Sequence, residues 1–187
     1  MNDTVDIEVA GIKTKFELFP VSDDTQIAAF IMYKHIDITE AAARELLKRV
    51  PEFDAIVTAE AKGIALAQEM AKQAGLNSYV VARKSTKVYM QNCISTNVDS
   101  ITTEGIQTLY LGESDYKPLE GKRVIIVDDV ISTGGSIKSL EVLMSHIKDC
   151  EVVAKCFVFA EGEAANRDDV IYLEKLHLYD SHGNIKN

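Results

Sequence analysis

The stretch Val124-Ile-Ile-Val-Asp-Asp-Val-Ile-Ser-Thr-Gly-Gly-Ser136 decides how this chain is read. Its short continuous apolar opening reads as a buried strand that ends in two acids, Asp128 and Asp129. A turn of Ser132, Thr133, Gly134, Gly135 and Ser136 follows, and the spacing beyond it predicts a helix over 136–148. In an open α/β sheet, ligands sit beyond the carboxyl ends of the strands, which is where this turn falls. The two glycines let the backbone approach a ligand closely. The helix aims its free N–H groups and the positive end of its dipole at the turn, and the hydroxyls of Ser132, Thr133 and Ser136 add donors. Together they make a cradle for one phosphate group. Two carboxylates beside a phosphate would repel it, but they suit ribose hydroxyls and a hydrated Mg²⁺. The stretch is neither GxxxxGK[ST] nor GxGxxG, which sets aside the common nucleotide-binding loops.

Outward from this stretch, strands alternate with helices. Residues 151–161 read as the next buried strand, and upstream 54–60 and 78–84 read as two more, separated by a helical pattern over 63–75 that Gly75 closes. Such alternation implies βαβ units and a parallel sheet. Before it, 39–50 has helical spacing, with Asp37 or Thr39 as the cap and Pro51 as the stop. The first stretch, 5–21, alternates on either side of Ala10-Gly11 like a hairpin with one buried face. Residues 169–180 alternate again and are expected to pair with that hairpin as a cap. Between 85 and 121 lies a long insertion rich in Ser, Thr and Asn, with a strand expected over 106–111, and an insertion of that length inside an α/β domain is usually functional or mobile. The expected fold is α/β: a parallel twisted sheet flanked by helices, with a small β-rich unit from the two termini.

Two further turns fall at carboxyl ends of strands. In Thr58-Ala-Glu-Ala-Lys-Gly-Ile64, Lys62 and the N–H groups opening at Gly63 offer a cation and donors at one point. In Ala82-Arg-Lys-Ser-Thr-Lys87, three cations gather beyond the next strand. The chain has 187 residues and a formal net charge of -9, so a local basic knot stands out and suits an anion, while the surface as a whole repels nucleic acid and anionic lipid. Three cysteines, Cys93, Cys150 and Cys156, match no zinc or CxxC spacing and read as reduced thiols. With no secretory signal pattern and no apolar run approaching the ~20 residues a bilayer span needs, a cytoplasmic protein is expected.

The segment 124–136 resembles the phosphoribosyl-pyrophosphate signature of the type I phosphoribosyltransferases, most closely the adenine- and other purine-specific members. The resemblance covers about 35–162 and implies one domain over 1–187, with a core over 35–162 and a hood over the base from 1–34 and 163–187. It implies that Ser132, Thr133, Gly134, Gly135 and Ser136 wrap the 5-phosphate of phosphoribosyl pyrophosphate (PRPP), and that Asp128 and Asp129 hold the ribose hydroxyls, directly or through Mg²⁺-bound water. Pyrophosphate would meet Glu60, Ala61, Lys62 and Gly63, and also Arg83, Lys84 and Lys87. Adenine-type members place an acid followed by a tyrosine in a closing loop, and the nearest counterpart here is Thr103-Glu104-Gly105, without the tyrosine. Glu104 is thus the candidate catalytic residue of that loop. Tyr33 and Phe159, with the stretch 159–169, are candidates for touching the base, although Asn166 and Arg167 also read as a solvated turn. The implied activity is transfer of phosphoribose from PRPP to a purine, adenine first, in purine salvage, by a homodimer. The alternatives are xanthine or hypoxanthine/guanine as the base, a pyrimidine-type transferase on the same fold, a PRPP-sensing regulator without catalysis, and a nucleotide-binding protein with no reaction.

Overall fold

A computed structural model of the chain describes residues 3–96 and 108–186. The amino-terminal alternation folds as expected: β1 (Thr4–Val9) and β2 (Ile12–Ser22) form an antiparallel hairpin around Ala10-Gly11, and β3 (Thr25–Ala28) continues the sheet. Helix α1 spans Ile36–Leu47, three residues earlier than the sequence predicts at both ends. Thr39 does not cap it. Its hydroxyl bonds back to the carbonyl of His35 at 2.7 Å, and Asp37 sits in the first turn, where its charge suits the helix dipole without a capping bond.

The core follows as β4 (Ala55–Ala59), α2 (Ile64–Gln73) and β5 (Val80–Ala82), then the short pair β6 (Ile94–Ser95) and β7 (Tyr110–Leu111), and the single-turn α3 (Glu113–Tyr116). Strand β8 (Arg123–Ile131) leads to α4 (Gly135–Ser145), β9 (Glu151–Glu161), β10 (Ile171–Leu176) and β11 (Leu178–Tyr179). The core sheet is parallel throughout, in the order β10-β9-β8-β4-β5. Val124 to Val127 are fully buried because helices cover both faces. Ile125 and Val127 pack with Leu46, Leu66 and Met70 of α1 and α2, whereas Val124 and Ile126 pack with Leu140, Leu143 and Met144 of α4.

The carboxyl-terminal segment divides, which corrects the expectation that it pairs as a whole with the hairpin. Only β11 joins the hood sheet, antiparallel to β3, while β10 is the edge strand of the core sheet, parallel to β9. Residues 171–176 alternate because they line an edge, with Ile171 and Leu173 against the α1 side and Glu174 and Lys175 exposed.

The start of β4 is fastened to β8 by Asp54, whose carboxylate accepts the Arg123 backbone N–H at 2.9 Å and Nε and Nη2 at 3.1 Å each. The guanidinium holds the Asp54 carboxyl down at about 2. A carboxyl whose folded value is depressed contributes stability that is present above its unfolded value and lost as pH falls through the folded one. The Asp54 contribution should therefore disappear between the ordinary 3.8 and about 2. Thermal melts across that window should fall less steeply for Asp54→Asn than for the parent chain.

Candidate active site

Strand order explains why distant segments meet. From β4 the chain steps outward to β5, whereas from β8 it steps the other way to β9 and β10, so β4 and β8 flank the switch point of the sheet. A crevice opens there at the carboxyl ends. The loop after β4, Glu60–Gly63, and the end of β8 are in direct contact across it. A Cβ on Gly63 would lie 2.3 Å from Thr58 Oγ1, 2.7 Å from Asp128 Oδ1 and 3.0 Å from Asp128 Cα. Gly63 has an ordinary helical φ of -70°, so it is glycine for space alone.

Asp129 is 2% exposed and Asp128 is half-buried. Burial, reinforced by the neighbouring Asp129 charge, pushes the Asp128 carboxyl well above the usual carboxylate range. Its Oδ1 accepts the Asp129 N–H, and Asp129 Oδ1 accepts the Val130 N–H, each at 2.9 Å. Asp129 Oδ2 is buried without a hydrogen-bond partner among the described residues, as is Thr58 Oγ1. The Lys62 ammonium lies 3.5 Å from Asp129 Oδ2. A buried carboxylate oxygen left without donors is poised for a ligand.

Among the described residues no group of three or more His, Cys, Asp or Glu side chains gathers to cage a metal. Mg²⁺ does not need one: it keeps several waters and binds through one or two carboxylates plus substrate phosphates. The oxygen donors of Asp128 and Asp129, with Asp129 Oδ2 orphaned, fit that mode.

Beyond β8, Ser132 and Thr133 are exposed and Gly134 to Ser136 half-exposed, so the bend is open to solvent. Gly134 adopts a left-handed φ of +80°, which turns the chain into α4, and no side chain caps the helix. The first bond back to the bend is from the Lys138 N–H to the Gly134 carbonyl, which leaves the N–H groups of Gly135, Ser136 and Ile137 pointing out of the helix end.

The basic segment joins the same edge. Arg83 Nη1 lies 3.4 Å from Glu60 Oε1, and Glu60 Oε2 accepts the Lys84 N–H at 3.0 Å. That backbone bond, helped by the Lys87 and Arg83 charges, holds Glu60 below its usual value. The structure thus brings together Glu60, Ala61, Lys62 and Gly63 with Asp128 and Asp129 on one side and with Arg83, Lys84 and Lys87 on the other.

Two sequence candidates fare differently. Tyr33 is 64% exposed on the turn Met32–Lys34. Phe159 is fully buried, with Phe30 4.9 Å away and Phe16 5.8 Å away, both nearly edge-on. Its ring joins the core sheet to the hood and presents no face to a base, which corrects its assignment. Phe159→Ala should cost about 3–5 kcal/mol of stability, read from denaturant unfolding. Glu104 lies outside the described residues. Within the candidate stretch 159–169, Glu161 closes β9, half-buried, its carboxyl pushed up by burial with Lys62 opposing the shift.

A fold of this topology with this site belongs with known proteins. The phosphoribosyl transferase domain matches residues 32–177, and the chain belongs to that family. It is 39% identical over 102 residues to the hypoxanthine/guanine phosphoribosyltransferase of Methanothermococcus okinawensis, covering 52% of this chain and 51% of that one. It is 30% identical over 118 residues to the probable purine biosynthesis transcriptional regulator PurR of Streptococcus pneumoniae (TIGR4), covering 63% and 41%. The chain thus spans about half the length of these curated relatives. The structure of adenine phosphoribosyltransferase from Thermoanaerobacter pseudethanolicus superposes with a TM-score of 0.63 at 24% identity, covering 92% of this chain and 95% of that one, and shares the fold. Among the described residues no helix is long and apolar enough to cross a membrane.

Proposed function

We propose that this protein is a purine phosphoribosyltransferase, transferring phosphoribose from PRPP to a ring nitrogen of a purine. The observation that supports the proposal most is the packing of Gly63 onto Asp128, which brings the loop Glu60–Gly63 against the acidic pair at the end of the strand that leads into α4. The N–H groups of Gly135 and Ser136, with the hydroxyls of Ser132, Thr133 and Ser136, hold the 5-phosphate. Asp128 and Asp129 hold the ribose hydroxyls. Lys62, Arg83, Lys84 and Lys87 face the pyrophosphate. The base nitrogen forms its bond to C1 as the C1–oxygen bond breaks, pyrophosphate leaves with the electron pair, and the displaced ring proton goes to solvent. The transition state is sugar-cation-like, so positioning and charge placement carry the catalysis. Asp128 and Asp129 would also hold a hydrated Mg²⁺, which supplies positive charge against the pyrophosphate.

Adenine is the first expectation for the base, on the resemblance of residues 82–87 to adenine-type members. The Methanothermococcus relative favours hypoxanthine or guanine as the second. Tyr33, exposed on the turn before α1, remains the candidate for the base side, and a cytoplasmic homodimer is the expected form. The pneumococcal relative makes a PRPP-sensing regulator the alternative to an enzyme. Pyrophosphate release should be followed with PRPP, Mg²⁺ and each of adenine, hypoxanthine, guanine, xanthine and uracil. Release with one or more purines is expected. Release with uracil alone, or with no base, would overturn the assignment.

A further inference from the structure

The 5-phosphate bend is faced by a cation that lies outside the signature. Arg167 follows the turn Gly162–Asn166, which leads from β9 towards β10. Its Nη1 sits 2.8 Å from the point where a Cβ on Gly134 would stand, so the guanidinium lies directly against the bend. A cavity of about 350 Å³ opens between them, lined by Thr133, Gly134, Gly135, Lys138, Glu141 and Arg167.

The guanidinium is aimed by its neighbours. Nε and Nη2 donate to the two carboxylate oxygens of Asp169 at 2.8 and 2.7 Å, a forked pair that fixes the plane of the group. Asp169 also accepts from Lys155 Nζ at 2.5 Å, and the same ammonium donates to Glu141 Oε1 of α4 at 2.7 Å. This chain of charges ties the segment after β9 to the helix that opens at the bend. It also engages both carboxylates near the cavity with cations, which limits their repulsion of an anion. One edge of Arg167 is thus committed to Asp169, while Nη1 has no partner among the described residues and is turned to the bend.

We infer that Arg167 is a ligand of the donor's 5-phosphate, reaching the bend from the segment after β9. The inference rests on the function proposed above and adds to it a residue from outside the signature. A phosphate monoester dianion offers three oxygens, more than one helix end satisfies, and a guanidinium is the side chain best matched to a second pair of them. Gly134 then serves twice, by its left-handed turn and by leaving room for the guanidinium.

The test is calorimetric titration of ribose 5-phosphate and, separately, of inorganic pyrophosphate with Mg²⁺, into the parent chain and Arg167→Met. The variant should bind ribose 5-phosphate about 10- to 100-fold more weakly and pyrophosphate as the parent does. Undiminished ribose 5-phosphate binding would overturn the role of Arg167 while leaving the proposed function standing. So would equal losses for both ligands, the mark of a structural brace. A parent chain that binds neither ribose 5-phosphate nor PRPP would overturn the proposed function together with the inference. Should Arg167→Met fail to fold, Arg167→Gln, which can still donate to Asp169, carries the same expectations.

Discussion

A Gly63→Val chain is expected to lose at least about 10²-fold in transfer rate, on the scale of removing one well-placed transition-state donor, while still folding. The glycine has no unusual backbone angle to preserve, so the effect comes from space. A Cβ would meet the Thr58 hydroxyl at 2.3 Å and the Asp128 carboxylate at 2.7 Å, and the Asp128 Cα at 3.0 Å belongs to a buried strand that cannot swing aside. Relief must come from the loop Glu60–Gly63, which would move away from β8 and take Lys62 from its place 3.5 Å from Asp129. Overpacking of this kind typically costs about 1–3 kcal/mol, a loss the fold should survive. Steady-state kinetics and a thermal melt on one preparation check both halves. A Gly63→Val chain of parental rate would show that the contact between the loops is irrelevant to the proposed reaction.

The second large effect is expected at the acidic pair. Asp128→Asn and Asp129→Asn should each lower turnover by about 10²–10³-fold, because the amide keeps the shape but removes the charge proposed to hold a hydrated cation and to accept from ribose hydroxyls. The folded state should not suffer. Asp128 is crowded by the Asp129 charge, and Asp129 Oδ2 has no hydrogen bond to lose. Relieving like-charge repulsion at a buried site is neutral to stabilising, the usual trade between activity and stability. Melting temperatures equal to or above the parent's, together with collapsed turnover, are the expected pair of results. Parental turnover with saturating Mg²⁺ in both variants would remove the acids from the mechanism.

How much of the fold and site is legible in the sequence depends on the type of signal. The strands at 54–60, 124–129 and 151–161 announce themselves because interior strands covered on both faces must be apolar at nearly every position, whereas of 78–84 only the short edge strand Val80–Ala82 forms. The acid pair and the glycine bend were legible because their chemistry is local in sequence. Residues 171–176 misled, since an edge strand with one covered face alternates whichever sheet it joins. Phe159 misled for a related reason: whether a strand-end aromatic stacks on a ligand or on the core depends on Phe16 and Phe30, which arrive from the hairpin side of the chain. Arg167 was hidden inside Asn-Arg-Asp-Asp, which has the composition of a solvated turn, and only the fold sets its guanidinium beside Gly134. Glu104 falls beyond the described residues.

The central claim is that the bend after β8 receives a phosphate on the backbone donors at the start of α4. It is tested most directly by following the backbone amide resonances of a ¹⁵N-labelled chain as PRPP is added. The N–H signals of Gly134, Gly135 and Ser136 should move downfield and saturate together with those of Lys62 and Gly63. Saturable binding that leaves the Gly134–Ser136 amides unmoved would contradict the account.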